Sequence, residues 1–464
     1  MQEKIFLYFT SDLHSYFDNW PKITYFLKQK FTERNKYKQD YFLLDNGDHI
    51  DRVNPISEAL KGKGNVELLN AANYDVINLG NNEGITLTKE ELTNLYGKAE
   101  FKVACANLSC QQGDNPEWLS PYQILTTDSG VKIAVIGLTA PFTDFYSPLG
   151  WQIDDPLETL QRCVDQLKGK TDSIILLSHL GVDPDRAIAE QYPEIDVIIG
   201  GHTHHLFETE EVHGHSILTG VGKSGFYVGE VCLTWDHQQK KLTNKSAIAY
   251  PIQDDLVDLE TVDLIKKQQE ESDLLLSKEV VKLTEPLEVD WHQETFLIKQ
   301  LTETLKEWTT ADVAMLNAGI LLESFEQGVV TERDVHRICP HPINPCVVTV
   351  TGQELLEIIR AGLAEEYQQI QVKGYGFRGK VMGILVYAGL SNEDKEHLEN
   401  DQFINHLTIN GQPLNLKQSY RLATADMFTF KHLSPQISRA QSKQFFLPEF
   451  IRDLLRQTLI RITA

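Results

Sequence analysis

The sequence has no long apolar run: nowhere does it reach the roughly 18 consecutive apolar residues that span a bilayer. The opening stretch MQEKIFLYFTSDLH turns polar after five or six apolar residues, too few for a secretory signal core, and no small-residue cleavage site follows. Cysteine is sparse, with six scattered residues and no CxxC pair, which excludes a disulfide framework and favours reduced thiols. A cytoplasmic chain that touches no membrane is the expectation. Basic residues are also short: 43 Lys and Arg against 66 Asp and Glu leave a net charge of −23. Such a surface has little with which to displace counterions from a nucleic-acid backbone, so no nucleic-acid partner is expected. A phosphate substrate is not excluded, because bound cations can invert the local field.

What is present is a globular composition, 41% hydrophobic and 23% charged, in a chain of 464 residues that is too long for one ordinary core. Over the first 250 residues short β-rich runs alternate with helical stretches such as PLETLQRCVDQLKGK. IFLYFT, YFLLDNGD, VINLGNN, KIAVIGLTA, SIILLSHLG and VIIGGHTHH each read as a buried strand of an α/β sheet, covered on both faces by helices and ending in polar residues. From about residue 254 a charged helical stretch follows, then a second helix over roughly residues 294–308. Beyond it, VAMLNAGIL, CVVTVTG, a helix through QELLEIIRAGLAEEY, KVMGILVYAG and YRLATADMFTF form an α+β unit. The expected division is 1–285, a connecting helix over 286–308, and 309–464.

Ionisable side chains gather where those strands end: Asp12 and His14, Asp48, Asn81, His179, and His202 with His204. In α/β folds, ligands bind beyond the carboxyl ends of strands, where loops converge. Carboxylate, imidazole and amide oxygen are the donors that divalent cations take, and neighbouring glycines let the loops turn sharply. Taken singly, each has a plain structural reading: Asp48 and Asn81 as turn residues, His179 as a core histidine. GHTHH resists it, because three imidazoles in four positions at an apolar strand end are rare without a metal.

The series DLH, GDH, GNNE, SHLG, GHTH resembles the calcineurin-like metallophosphoesterases. Taken with the second domain, the chain is similar to the two-domain bacterial 5′-nucleotidase, UDP-sugar hydrolase and cyclic phosphodiesterase family. The resemblance implies an N-terminal four-layer αββα domain and a C-terminal α+β substrate-binding domain of the 5′-nucleotidase type. It implies two divalent ions (Mn, Zn, Fe, Co or Mg), one held by Asp12, His14, Asp48 and His204, the other by Asp48, Asn81, His179 and His202. Asp48 would bridge them, and a metal-bridging hydroxide would attack a phosphoester of a nucleotide or nucleotide-like molecule.

Several positions depart from the family pattern. GNNEGI places Asn82 and Ile85 where the family has its catalytic His and the Asp that orients it. Asn82 could hold a phosphoryl oxygen but cannot supply a proton near neutral pH, a task that would fall to His49 or His205. Leu321 stands where a substrate-binding Arg is expected, and no Gly-Gly-Asp-Gly-aromatic run follows TADMFTF. Phe377 and Phe428 (or Phe430) occupy the two positions that sandwich a base, and Arg378 offers an anionic contact. The alternative these departures leave open is a catalytically weak nucleotide-binding protein on the same scaffold.

Overall fold

In a computed structural model of the chain, the structure describes residues 2–252, 256–374, 376–391, 407–430 and 433–464. The chain divides into two units, Met1–Ser272 and Asp273–Ala464.

The first unit is built on two sheets. One has seven strands in the order Lys241–Pro251, Tyr227–Asp236, Gln2–Thr10, Tyr41–Asp45, Val76–Ile77, Lys102–Ala104 and Leu119–Ser120. The other has six, ordered Glu211–His213, Ser216–Thr219, Val197–Gly200, Ser173–His179, Lys132–Thr139 and Tyr122–Thr126. Strands that end in the polar motifs pair in parallel within each sheet, and antiparallel partners lie at every edge but that of Leu119–Ser120, which pairs in parallel with Lys102–Ala104. Because side chains alternate along a strand, each apolar run serves two faces. Ile133, Val135, Ile175, Leu177, Val197 and Ile199 pack in one cluster with Ile5, Leu7 and Phe9 of the other sheet. Their neighbours Ala134, Ile136, Leu138, Ile174, Leu176 and Ile198 pack under Leu160, Val164 and Leu167 of helix Pro156–Leu167 and Ile188 of helix Val182–Gln191. Each strand therefore has a helix on one face and the partner sheet on the other. That corrects the expectation of helices on both faces, because an apolar run cannot reveal which kind of apolar neighbour covers it, and it agrees with the four-layer αββα arrangement that the resemblance implies.

The second unit carries a five-stranded sheet ordered Leu385–Ala388, Val313–Asn317, Ser419–Ala425, Pro345–Thr351 and Lys443–Phe445. Helix Gly352–Leu363 starts at a capping box: the Thr351 hydroxyl accepts from the Glu354 amide and the Glu354 carboxylate from the Thr351 amide. The helix expected as a connector, here Phe296–Thr309, belongs to this unit: Leu297, Ile298, Leu301 and Leu305 are buried in its core. Its apolar face matches the sheet it covers, so it packs there.

Candidate metal centre

Of the seven side chains named from the sequence, all in the first unit, Asp12, His14, Asp48, His179 and His204 converge, with Asn81 and His202 beside them. Two compact sets form: Asp12 with His14 and His204, and Asp12 with Asp48 and His179. His204 Nε2 lies 3.4 Å from Asp12 Oδ1, and His14 Nε2 lies 3.0 Å from His204 Nε2. His179 Nε2 stands 3.4 Å from Asp48 Oδ2 and 3.8 Å from Asp12 Oδ1. His14 Nε2 is 3.8 Å from Asp48 Oδ2, which ties Asp48 to both sets. Asn81 Oδ1 lies 2.8 Å from His202 Nδ1, and the His202 ring centroid is 5.4 Å from that of His179.

The backbone at these positions is unusual. Asp12, His14, Asp48, His202 and His204 all have φ between 50° and 68°, a left-handed region that side chains other than glycine seldom adopt. Such conformations persist only where surrounding bonds over-determine them, and they gather at functional sites. The bonds are present: the amides of Asp12 and His14 donate to the carbonyls of Gly47 and Asp48, and the His202 amide donates to Asp12 Oδ1. Gly80 is obligatory here, since a Cβ would lie 2.1 Å from Asp48 Oδ1.

The charges are arranged for cations. Burial opposes ionisation of Asp12 and Asp48, yet the imidazoles beside them hold both carboxyls below the usual carboxylate range. His179 feels the reverse: burial would lower it, but Asp48 and Asp12 push it up to about 10. Burial pulls His202 down to about 4, reinforced by His179.

Whether these residues suit metal ions can be judged from the donors. His179 Nε2 is fully buried and faces only the carboxylates of Asp48, at 3.4 Å, and Asp12, at 3.8 Å, the setting of a nitrogen that would bind a cation. His14 Nε2 and His204 Nε2 face each other at bonding distance. Donors of one divalent ion, each about 2.1 Å from it, stand about 3 to 3.5 Å apart, which is the spacing of these atoms. The residues fit the group.

Supporting residues that the sequence did not single out complete the centre. The Asn46 carbonyl accepts from His179 Nδ1 at 2.8 Å, which leaves Nε2 facing the carboxylates, while Asn46 Nδ2 donates to the carbonyls of Ser178 and Ile199. Asp51 Oδ2 lies 3.5 Å from His14 Nδ1. Glu83, buried, accepts from the amides of Asp48, Ile50 and Gly80 and so fastens the Asp48 loop to the Asn81 loop. Their signals were visible as Asn46 and Asp51 flanking Asp48 in DNGDHID and as the Glu of GNNE, but the contacts are tertiary.

Other expectations are corrected. Asn82 Nδ2 lies 3.1 Å from His14 Nδ1 and donates to the Ile50 carbonyl, and its Oδ1 accepts from Asn81 Nδ2. One of its N–H groups is thus engaged by the Ile50 carbonyl, and the side chain lies beside the His14 ring. His49 is buried, edge-on to Trp20 at 4.9 Å and beside Asn65, and burial drives it down to about 3. It is no proton donor for a substrate. His205 is exposed, with Nδ1 2.9 Å from the Thr203 hydroxyl.

In the second unit the base-binding residues are placed differently from expectation. Phe428 is 0% and Phe377 3% exposed, both within the core cluster, and Phe377 stacks on His341 at 5.0 Å. Neither ring presents a face to a base, and core packing is what these positions do. Phe430 is half-buried. Leu321 is fully buried, and its carbonyl accepts from Trp291 Nε1. Arg378 is exposed, with Nη1 donating to the Phe377 carbonyl.

Comparison with known proteins bears directly on this geometry. Residues 7–206 match the calcineurin-like phosphoesterase family and residues 279–432 the 5′-nucleotidase C-terminal domain. The metallophosphoesterase YunD of Bacillus subtilis is 42% identical over 456 residues, 98% of this chain and 99% of its own. The chain is a calcineurin-like metallophosphoesterase. Solved structures share the two-domain fold of this phosphoesterase. The NAD nucleotidase NadN of Haemophilus influenzae superposes with a TM-score of 0.69 at 17% identity, covering 100% of this chain and 97% of that one. The 5′-nucleotidase precursor of Thermus thermophilus does so at 0.62 and 18%, covering 99% and 97%. The phosphoesterase is a metal-dependent phosphoester hydrolase whose cofactor is a pair of divalent ions. Among the described residues, no helix is long and apolar enough to cross a membrane.

Proposed function

We infer that this phosphoesterase hydrolyses nucleotides or nucleotide-like phosphoesters, of the 5′-nucleotidase, UDP-sugar or cyclic-nucleotide type. The observation that carries the reading is the convergence of Asp12, His14, Asp48, His179 and His204 at 3.0–3.9 Å, with a buried His179 Nε2 turned to the carboxylates. Asp12, His14, Asp48 and His204 would hold one ion, and Asp48, Asn81, His179 and His202 the other, with Asp48 shared. When bound, such a pair supplies Lewis-acid polarisation of the phosphoryl group and a nucleophile at neutral pH.

The chain's own residues do the rest. Asn46 fixes the His179 ring so that Nε2 faces the carboxylates. Asp51 and Asn82 bracket His14 Nδ1 and hold its Nε2 toward His204. Glu83 keeps the Asp48 and Asn81 loops in register by accepting from three backbone amides. With Asn82 turned inward, no side chain of the GNNE motif protonates a leaving group, so esters whose leaving groups depart unaided suit this centre best. Six unpaired cysteines fit a reducing compartment, and we place the protein in the cytoplasm, with no nucleic-acid or membrane partner.

The test is release of inorganic phosphate from a panel of nucleotides and simple phosphoesters with Mn²⁺, Zn²⁺, Co²⁺ and Mg²⁺. Metal-dependent release is expected. A second reading, a nucleotide-binding protein with weak turnover, is favoured by the engagement of Asn82 and by Leu321. Nucleotide binding without phosphate release under saturating Mn²⁺ would select it.

A further inference from the structure

The candidate ligands come from both sheets of the first unit. Asp12, His14, Asp48 and Asn81 follow strands Gln2–Thr10, Tyr41–Asp45 and Val76–Ile77 of the seven-stranded sheet. His179 ends strand Ser173–His179 of the six-stranded sheet, and His202 and His204 follow its strand Val197–Gly200. Each proposed ligand set therefore draws on both sheets, and its spacing depends on how one sheet lies against the other. The apolar cluster between them holds the sheets together, but apolar contact is non-directional and tolerates a slide. Donors to a metal ion do not, since their distances must hold to about 0.2 Å.

Three buried asparagines cross the gap between the sheets at the ligand-bearing end. Asn46, Asn78 and Asn107 are 0–1% exposed and stand just past strands Tyr41–Asp45, Val76–Ile77 and Lys102–Ala104. Asn46 Nδ2 donates at 2.9 Å to the carbonyls of Ser178 and Ile199. Asn78 Nδ2 lies 2.8 Å from the Leu138 carbonyl and 3.1 Å from that of Leu177. Asn107 Nδ2 donates to the Thr139 carbonyl at 2.8 Å, and its Oδ1 accepts from the Thr139 amide at 3.0 Å. These carbonyls belong to strands Val197–Gly200, Ser173–His179 and Lys132–Thr139, which lie side by side, so the asparagines step across the six-stranded sheet in order. The backbones are close here as well. The Ala106 amide donates to the Gly137 carbonyl at 2.7 Å, and a Cβ on Gly137 would lie 1.8 Å from the Ala104 carbonyl oxygen. Apolar side chains would fill this space without burying an amide. Directional bonds to backbone carbonyls instead specify one register.

We propose that Asn46, Asn78 and Asn107 are positioning residues that stitch the two sheets in the register at which the ligands of the metal centre meet. The proposal rests on the metal-centre reading for its consequence, and on the inter-sheet bonds alone for the register. Asn78 and Asn107 are the informative members, because the main-chain carbonyl of Asn46 also accepts from His179.

The experiment compares full-length Asn78→Ser and Asn107→Ser, with leucine at the same positions as the stronger change, against Val135→Ala. The last removes apolar packing between the same sheets but no hydrogen bond. Mn²⁺ affinity is measured by titration, coupling between bound ions by electron paramagnetic resonance, and stability by chemical denaturation. Both serine variants are expected to lose about tenfold or more in Mn²⁺ affinity, with the spectrum of a coupled pair giving way to that of single ions. Val135→Ala, though less stable, should bind Mn²⁺ as the wild type does. The leucine variants should lose more or fail to fold, and the serine pair decides. Wild-type Mn²⁺ affinity in both serine variants, or an equal loss in Val135→Ala, would overturn the stitch. A metal-free readout is hydrogen exchange at the Ala106 and His202 amides, which bond across the gap. It should quicken about tenfold in the serine variants while exchange inside the strands, at Ile175 and Val197, is unchanged. If the wild type takes up no Mn²⁺, the metal-centre reading falls and this exchange alone decides: faster exchange sustains the stitch, and unchanged exchange overturns it.

Discussion

The strand ends of the first unit and the aromatic segments of the second were both candidate binding elements, and the structure treats them oppositely. Around Asp12 and Asp48 the backbone is held in left-handed conformations and carboxylates face imidazoles. Around Phe377 and Phe428 the rings are closed in apolar contacts, and His341 has its Nε2 donating to the Ile320 carbonyl. The first region gathers carboxylates and imidazoles around shared points, whereas the second closes its rings in apolar packing. Converging charge and left-handed backbone, more than motif position, separate a site from a core.

That contrast can be broken at several points. Phe428→Ala should cost about 3–5 kcal/mol of stability, the loss typical of a fully buried ring, and chemical denaturation of the variant measures it. A loss near zero would return Phe428 to the list of pocket residues. Asp48→Asn should lower turnover by at least roughly 10²-fold, because the carboxylate proposed to be shared by the two ions would be gone. Full activity in that variant would move the chemistry elsewhere. Glu83→Gln should destabilise the chain by about 1–3 kcal/mol and weaken metal retention, since one of its oxygens no longer accepts from backbone amides.

Protonation supplies the mildest probe. His179, pushed up to about 10, carries a proton near neutral pH that an arriving cation must displace. Metal affinity should therefore fall as pH falls below that value, and loading should release protons. Calorimetry in buffers of different ionisation enthalpy counts them; an uptake of protons would contradict the charge arrangement.

Much of this was legible in the sequence for a physical reason. Strands such as SIILLSH and VIIG are apolar enough to be buried on both faces, so the first polar residue after each run has to lie at a sheet end. Asn46, Asp51 and Glu83 were less legible, because their roles depend on which backbone groups fold back against them. The second sheet's position was hidden as well, since Ile175 against a sheet and Ile174 against a helix look alike in the chain. Phe428 was misread for the same reason: a ring that binds a base and a ring that fills a core share one hydrophobic signature.

The measurement that bears most directly on the account is metal stoichiometry after loading with Mn²⁺ and removal of free ion, made on the wild-type chain and on His179→Ala. Two ions per wild-type chain and one or none in the variant are the expected values. A wild-type chain that retains no ion, or a variant that retains as many as the wild type, would contradict a centre built on these seven side chains.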